Sequence, residues 1–230
     1  MSALLLTLQH VKLFDVLGFS VGGFIAQQLV LTRPDLIHKL VLSGTGVSGN
    51  GGSEIGHQHT MPEVLSAVFA PRPDPNQTID AFFPSFIAKA EGEKWFGRIF
   101  AARSKTAGKD GEPELASFYS GPELNKYIEA LLTWDTDPLP YALLQGIQKD
   151  VLVTVGDNDL IVPTINGFDL AKQIPRANFM MFPGSGHGHL FQYAVFYADA
   201  VTRFLKGEFP VPPVSAGTIS PLGLDGQLPN

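Results

Sequence analysis

Four short stretches of the chain are apolar on both faces, and each runs into glycine or turn chemistry: Phe14–Phe19, Lys39–Ser43, Val151–Val155 and Asn178–Phe182. Strands buried on both sides belong to parallel sheets covered by helices, so the pattern predicts an α/β core with a mostly parallel sheet. Helical periodicity fills the connections. Residues 21–33 carry Val21, Ile25 and Leu29 at i, i+4 spacing before Pro34 ends the run. Residues 190–206 place Tyr193, Tyr197, Ala200, Val201 and Phe204 on one stripe, and Gly207 follows as the terminating residue. The opening Met1–His10 reads as a further helix.

Between the second and third strands lie roughly a hundred residues, 48–147. They open on Ser48-Gly-Asn-Gly-Gly-Ser53 and then read mostly helical. Aromatics gather there: Phe82, Phe83, Phe86, Trp95, Phe96 and Phe100, with Phe118, Tyr119, Tyr127 and Trp134 further on. A connection of that length forms a subdomain or carries function. The expected division is a core of residues 1–47 and 148–207, a helical insert of 48–147, and a Pro/Gly-rich tail of 208–230.

Composition narrows the function classes. The 230 residues are 44% hydrophobic and 17% charged, enough apolar material for one sizeable core. A net charge of −6 argues against nucleic acid or an anionic membrane as partner. The absence of cysteine excludes disulfides, thiolate metal sites and cysteine nucleophiles. The start lacks a basic region and a cleavage site, and no apolar run nears about 18 residues, so a soluble, cytoplasmic protein is expected. His57 and His59 have metal-like spacing without a third ligand and read as a solvated loop.

The chemistry lies at the strand ends. The first strand runs into Gly18-Phe-Ser-Val-Gly22, then Gly23 and a helix. This is the nucleophile-elbow pattern in its strand–turn–helix setting. The turn lifts the Ser20 hydroxyl off the sheet, and a Cβ at position 18 or 22 is expected to collide with the strand or helix beside it. The Val21 N–H, at the helix N-terminus, can face a developing oxyanion. A serine nucleophile needs a base, and the base an orienting acid. Gly156-Asp-Asn-Asp159 follows the third strand and Gly186-His-Gly-His189 the fourth. Both sit past the C-terminal ends of parallel strands, where open α/β sheets place their sites. Spacing alone leaves Asp157 beside Asp159 and His189 beside His187.

These segments together resemble the α/β-hydrolase superfamily, within it the esterase-type members with a helical cap. The resemblance rests on Leu17-Gly-Phe-Ser-Val-Gly-Gly-Phe24, Arg33-Pro-Asp-Leu36 leading into Leu40-Val-Leu-Ser-Gly-Thr-Gly46, Gly156-Asp-Asn-Asp159 with Val162-Pro163, and Ser185-Gly-His-Gly-His-Leu-Phe-Gln192. It implies a partial α/β-hydrolase fold with residues 48–147 as cap. It also implies Ser20 as nucleophile, Asp159 as acid, His187 as base and Val21 as oxyanion donor. Serine at the elbow speaks against the epoxide-hydrolase and dehalogenase chemistries, which use a carboxylate there. The expected activity is hydrolysis of a small to medium apolar ester, lactone or thioester, with no metal and no organic cofactor. The family's earlier strands, whose loop supplies a second oxyanion amide, have no counterpart in the roughly 13 residues before the elbow strand. A weakly active or non-catalytic binding module is therefore the alternative. Phe14–Phe19 is expected to be an open edge through which two chains could pair or aggregate.

Overall fold

A computed structural model of the chain describes residues 13–49, 61–68, 74–104 and 122–209. Four strands, β1 (Phe14–Phe19), β2 (Ile37–Ser43), β3 (Asp150–Gly156) and β4 (Ala177–Phe182), form one sheet in the order β1-β2-β3-β4. Every pairing is parallel. The register aligns Phe19 with Ser43 and Ser43 with Thr154, so the C-terminal ends of the first three strands finish in one row.

Helices cover both faces. On one face lie α1 (Val21–Thr32), α6 (Leu139–Leu143) and α7 (Thr164–Gln173), where Ala26, Val30, Leu144, Leu170 and Ile174 bury Leu40, Leu42, Val151 and Val153. On the other, Val41 and Leu152 pack against Phe182 and against Tyr197, Val201 and Phe204 of α9 (Ala194–Leu205). The strict alternation of 40, 42 against 41 is the period-two pleat, and each such aliphatic side chain contributes about 1.5–3 kcal/mol on burial.

Between β2 and β3 every described element is helical: α2 (Pro62–Val68), α3 (Pro75–Phe82), α4 (Lys89–Ser104) and α5 (Pro122–Thr136), then α6. Phe82, Phe83, Trp95 and Phe96 form a cluster of their own with Ile79, Val68 and Ile161. Phe86 stands 92% exposed, and Trp134 stacks on Phe24 of α1 at 5.5 Å. The Met1–His10 helix, His57, His59, Phe118, Tyr119 and residues 210–230 lie outside the described residues, as do the side chains of Phe100 and Tyr127.

Three sequence expectations need correction. The buried stripe of α1 is Gly23, Ala26, Gln27 and Val30, whereas Ile25 is half-exposed. The helix lies so close to the sheet that its inward face has to be small. A Cβ on Gly23 would meet Thr45 at 2.5 Å, and Gln27 is admitted because its Nε2 donates to the Gly46 carbonyl at 2.9 Å. The glycine the elbow requires sterically is Gly18, where a Cβ would lie 2.4 Å from the Gly22 carbonyl oxygen; a Cβ on Gly22 would meet only open space. The expected single helix over 190–206 is also broken, at Tyr193, into α8 (His189–Gln192) and α9. Gly207 ends α9 at φ +79°, as the sequence suggests.

Candidate active site

Ser20 sits on the turn from β1 into α1 at φ +54°, the one non-glycine residue with positive φ among the described residues. Such a conformation costs about 1–3 kcal/mol and persists only where its surroundings enforce it. Here the Ser20 amide donates to the Ser43 carbonyl at 2.9 Å, and its own carbonyl accepts from Gly23 at 2.8 Å. The turn is pinned to β2 on one side and to α1 on the other. Val21 opens α1, so its N–H lies ahead of the helical hydrogen-bond ladder.

Asp159 and His187 meet. His187 Nδ1 and Asp159 Oδ2 are 2.9 Å apart, with the side chains 1% and 0% exposed. The other carboxylate oxygen, Oδ1, accepts the amides of Ile161 at 2.9 Å and Val162 at 2.8 Å. Thr164 braces the turn from below: its Oγ1 donates to the Gly156 carbonyl at 2.6 Å and accepts the Asp159 amide at 3.2 Å. Among the described residues no hydrogen bond joins Ser20 Oγ to the His187 ring, a link that commonly tightens only around substrate.

The two alternatives left open by spacing have other places. Asp157 is exposed, and its two oxygens accept the amides of Gly184 at 2.7 Å and Ser185 at 3.0 Å, which clamps the β4 loop to the β3 loop. His189 is fully buried with Nε2 at 3.0 Å from Thr154 Oγ1. Burial pushes its pKa down to about 4; the Asp159 charge opposes this and the neighbouring His187 adds to it.

Aromatic rings enclose the histidine. Phe19 lies 4.8 Å from the His187 ring and Phe82 meets it edge-on at 5.2 Å. Trp95 stacks on Phe82 at 4.8 Å, and Phe191 contacts both Phe19 and Trp95 at 5.7 Å. The Phe82 carbonyl accepts the Gly188 amide at 2.8 Å, tying the helical segment to the histidine loop. A cavity of about 310 Å³ opens beside the acid turn, lined by Met61, Asp157, Asn158, Leu160, Pro163 and Ile165 among others.

This arrangement can be set beside known proteins. The sequence profile of the alpha/beta hydrolase fold matches residues 1–192. The chain belongs to that family. Among curated relatives, the 2-hydroxymuconate semialdehyde hydrolase of Pseudomonas sp. strain CF600 is 25% identical over 83% of this chain and 61% of its own length. The pimeloyl-[acyl-carrier protein] methyl ester esterase of Nitrosomonas europaea is 26% identical over 76% of this chain and 64% of its own. The chain thus spans under two thirds of these relatives. A solved alpha/beta hydrolase fold protein from Chitinophaga pinensis superposes with a TM-score of 0.70 at 26% identity, covering 89% of this chain and 69% of that one.

Within the hydrolase fold of this chain, the described residues hold no group of three or more His, Cys, Asp or Glu side chains able to bind a metal ion, and no helix long and apolar enough to cross a membrane. Sequence reasoning missed Thr164, the Asp157 clamp and the ring of Phe19, Phe82, Trp95 and Phe191. Only the aromatic density of 82–96 signalled any of it.

Proposed function

We propose that this alpha/beta hydrolase is a serine hydrolase acting on small to medium apolar carboxylic esters, lactones or thioesters, with Ser20, His187 and Asp159 as its triad. The supporting observation is the buried His187–Asp159 hydrogen bond, at 2.9 Å, beside a serine held at φ +54°. In this reading residues 48–147 serve as the cap, with 1–47 and 148–207 as the core and 208–230 as the tail.

The chemistry follows from the tautomer. A carboxylate at Asp159 Oδ2 can only accept, so the Nδ1 of neutral His187 carries the proton and Nε2 is left free as a base. Nε2 takes the Ser20 proton as Oγ attacks the acyl carbon. The carbonyl oxygen becomes an oxyanion facing the Val21 N–H. Nε2–H then protonates the departing alkoxide or thiolate, leaving the acyl group on Ser20. Water repeats the sequence and releases the acid. The Phe19, Phe82, Trp95 and Phe191 rings favour an apolar acyl group, which is the basis for the substrate class.

One relative's name, a methyl ester esterase, supports ester-type chemistry; another is a semialdehyde hydrolase, whose named substrate carries no ester. A fluorophosphonate probe tests the reading. The wild-type chain should label covalently and Ser20→Ala should not. Undiminished labelling of Ser20→Ala would remove Ser20 as nucleophile, and a wild-type chain that takes no label would favour a binding module.

A further inference from the structure

The mechanism above uses neither His189 nor the three hydroxyls around it, yet all four are buried. His189 and Ser43 are 0% exposed, Thr154 1% and Tyr197 7%. Removing four polar side chains from water is costly unless each finds a partner. They are partnered in one chain: His189 Nε2 to Thr154 Oγ1 at 3.0 Å, Thr154 Oγ1 to Ser43 Oγ at 2.8 Å, and Ser43 Oγ to the Tyr197 hydroxyl at 2.5 Å.

The sheet makes this chain possible. Ser43 and Thr154 are register partners at the ends of β2 and β3, on the face that α9 covers. Each link also belongs to a segment that fixes one triad residue. The Ser43 carbonyl accepts the Ser20 amide. Thr154 lies two residues before Gly156, whose carbonyl anchors Thr164 and, through it, the Asp159 amide. His189 follows His187 by two residues; its own amide donates to the Gly186 carbonyl at 3.1 Å, and its carbonyl accepts from Tyr193 at 2.9 Å.

We propose, resting on the triad reading, that His189 is a positioning residue: through Thr154, Ser43 and Tyr197 it holds the His187 loop against the strand ends that carry Ser20 and Asp159. The bond directions are consistent with that role. Thr154 Oγ1 donates to Ser43 Oγ, so it accepts from His189, which places the His189 proton on Nε2. Nδ1 is then a bare acceptor, and it has no hydrogen-bond partner among the described residues. A proton there would create a buried, unmatched N–H and a second cation beside His187, itself an imidazolium during turnover. His189 therefore stays neutral while His187 cycles, which agrees with the strong effect of burial upon it.

The test uses the full chain, with His189→Leu, His189→Gln and Thr154→Val compared by ester kinetics, fluorophosphonate labelling, thermal melting and the NMR signal of the His187 Nδ1 proton. His189→Leu should lower kcat about tenfold with KM held within about twofold, the scale of a catalytic group displaced by a fraction of an ångström. Its Nδ1 proton should exchange faster with water. His189→Gln, whose amide can still donate to Thr154, should return to within about threefold of wild type. Thr154→Val keeps the shape and breaks the same link, so it should match His189→Leu, and the double variant should be no worse than either. It carries the test alone if His189→Leu does not fold. Wild-type kcat and a protected Nδ1 proton in a folded His189→Leu or Thr154→Val chain would overturn the proposal, as would a His189→Gln no better than leucine. Labelling that survives in Ser20→Ala would overturn the triad reading and this proposal with it. Ser20-dependent labelling that is indifferent to His189 would overturn the positioning role alone.

Discussion

Replacing Asp159 by asparagine asks which of two tasks the side chain can keep. Oδ1 accepts two backbone amides, from Ile161 and Val162, while Oδ2 accepts one ring N–H from His187. Asparagine has a single acceptor oxygen. Facing it toward the two amides preserves two hydrogen bonds of about 0.5–1.5 kcal/mol each, whereas the opposite orientation sets a donor against two buried donors. The oxygen therefore stays with the backbone and the NH₂ group turns to His187. Nδ1 must then accept, and the ring proton moves to Nε2, the atom that takes the Ser20 proton in the proposed mechanism. We expect kcat to fall about a thousandfold, equivalent to about 4 kcal/mol at 1.36 kcal/mol per tenfold. KM should hardly move, because Asp159 is buried, with 4% of its surface exposed, and its carboxylate oxygens are engaged by His187 and two backbone amides. Steady-state ester hydrolysis alongside Asp157→Asn is the assay. The exposed Asp157 clamp should lose no more than about tenfold, since the amide side chain keeps one acceptor for the loop. An Asp159→Asn chain within tenfold of wild type would refute the tautomer argument, and so would an Asp157→Asn chain that proved the more damaged.

Three further outcomes follow from the packing. Phe82→Ala keeps the backbone bond to Gly188 but removes the ring over His187, so the preference for butyrate over acetate esters, as a ratio of kcat/KM, should drop about tenfold; an unchanged ratio would take Phe82 out of the acyl pocket. His189 is held down to about 4 in the folded chain against 6.5 unfolded, so the unfolded state gains a proton first as pH falls. The stability His189 contributes is complete above about pH 6.5 and lost on the way to about pH 4, by roughly 3 kcal/mol, and denaturant melts of wild type against His189→Gln should differ in that window alone. Finally, Phe14–Phe19 pairs on one side only among the described residues, with Leu17 48% exposed and a register irregularity between Phe14 and Val16. We propose that this edge pairs with a second copy: sedimentation should show self-association that Leu17→Lys relieves, and a monomeric wild type would show the edge to be covered.

β2 and β3 were legible because burial on both faces leaves an unbroken apolar signature. The outer strands β1 and β4 keep apolar residues although Leu17, Phe179 and Met181 are exposed, contrary to the expected burial on both faces. All four strands fall within two residues of where the pattern puts them. The elbow, the acid turn and the histidine loop were legible because each requires particular residue types at a strand end. The inward face of α1 was not, because close approach to the sheet replaces large apolar residues with Gly23, Ala26 and Gln27 and so removes the periodicity that would reveal it. The choice between Asp157 and Asp159 is likewise invisible to spacing. Both are two-residue neighbours on one turn, and only the turn's direction, set by the Thr164 bridge to Gly156, sends Asp159 inward and leaves Asp157 facing the next loop. Thr154 lies in no motif, and the Leu40–Gly46 stretch that contains Ser43 does not reveal its partner. Their contact depends on a register between strands more than a hundred residues apart in sequence, a quantity no local pattern contains.

The same contacts that order His187 also bury it. His187 is 1% exposed, with the Phe19 and Phe82 rings packed beside it. Phe19 is part of the sheet, adjacent to the strained serine, and moving it would undo the elbow. Phe82 belongs to the helical segment, where its carbonyl accepts the Gly188 amide and its ring packs on Trp95 and His187 within the buried aromatic cluster. Under the proposed triad, the sheet side of the site carries Ser20 and Phe19 and the helical side carries Phe82, so an acyl group bound between them would meet apolar rings, which favours apolar over polar acyl groups.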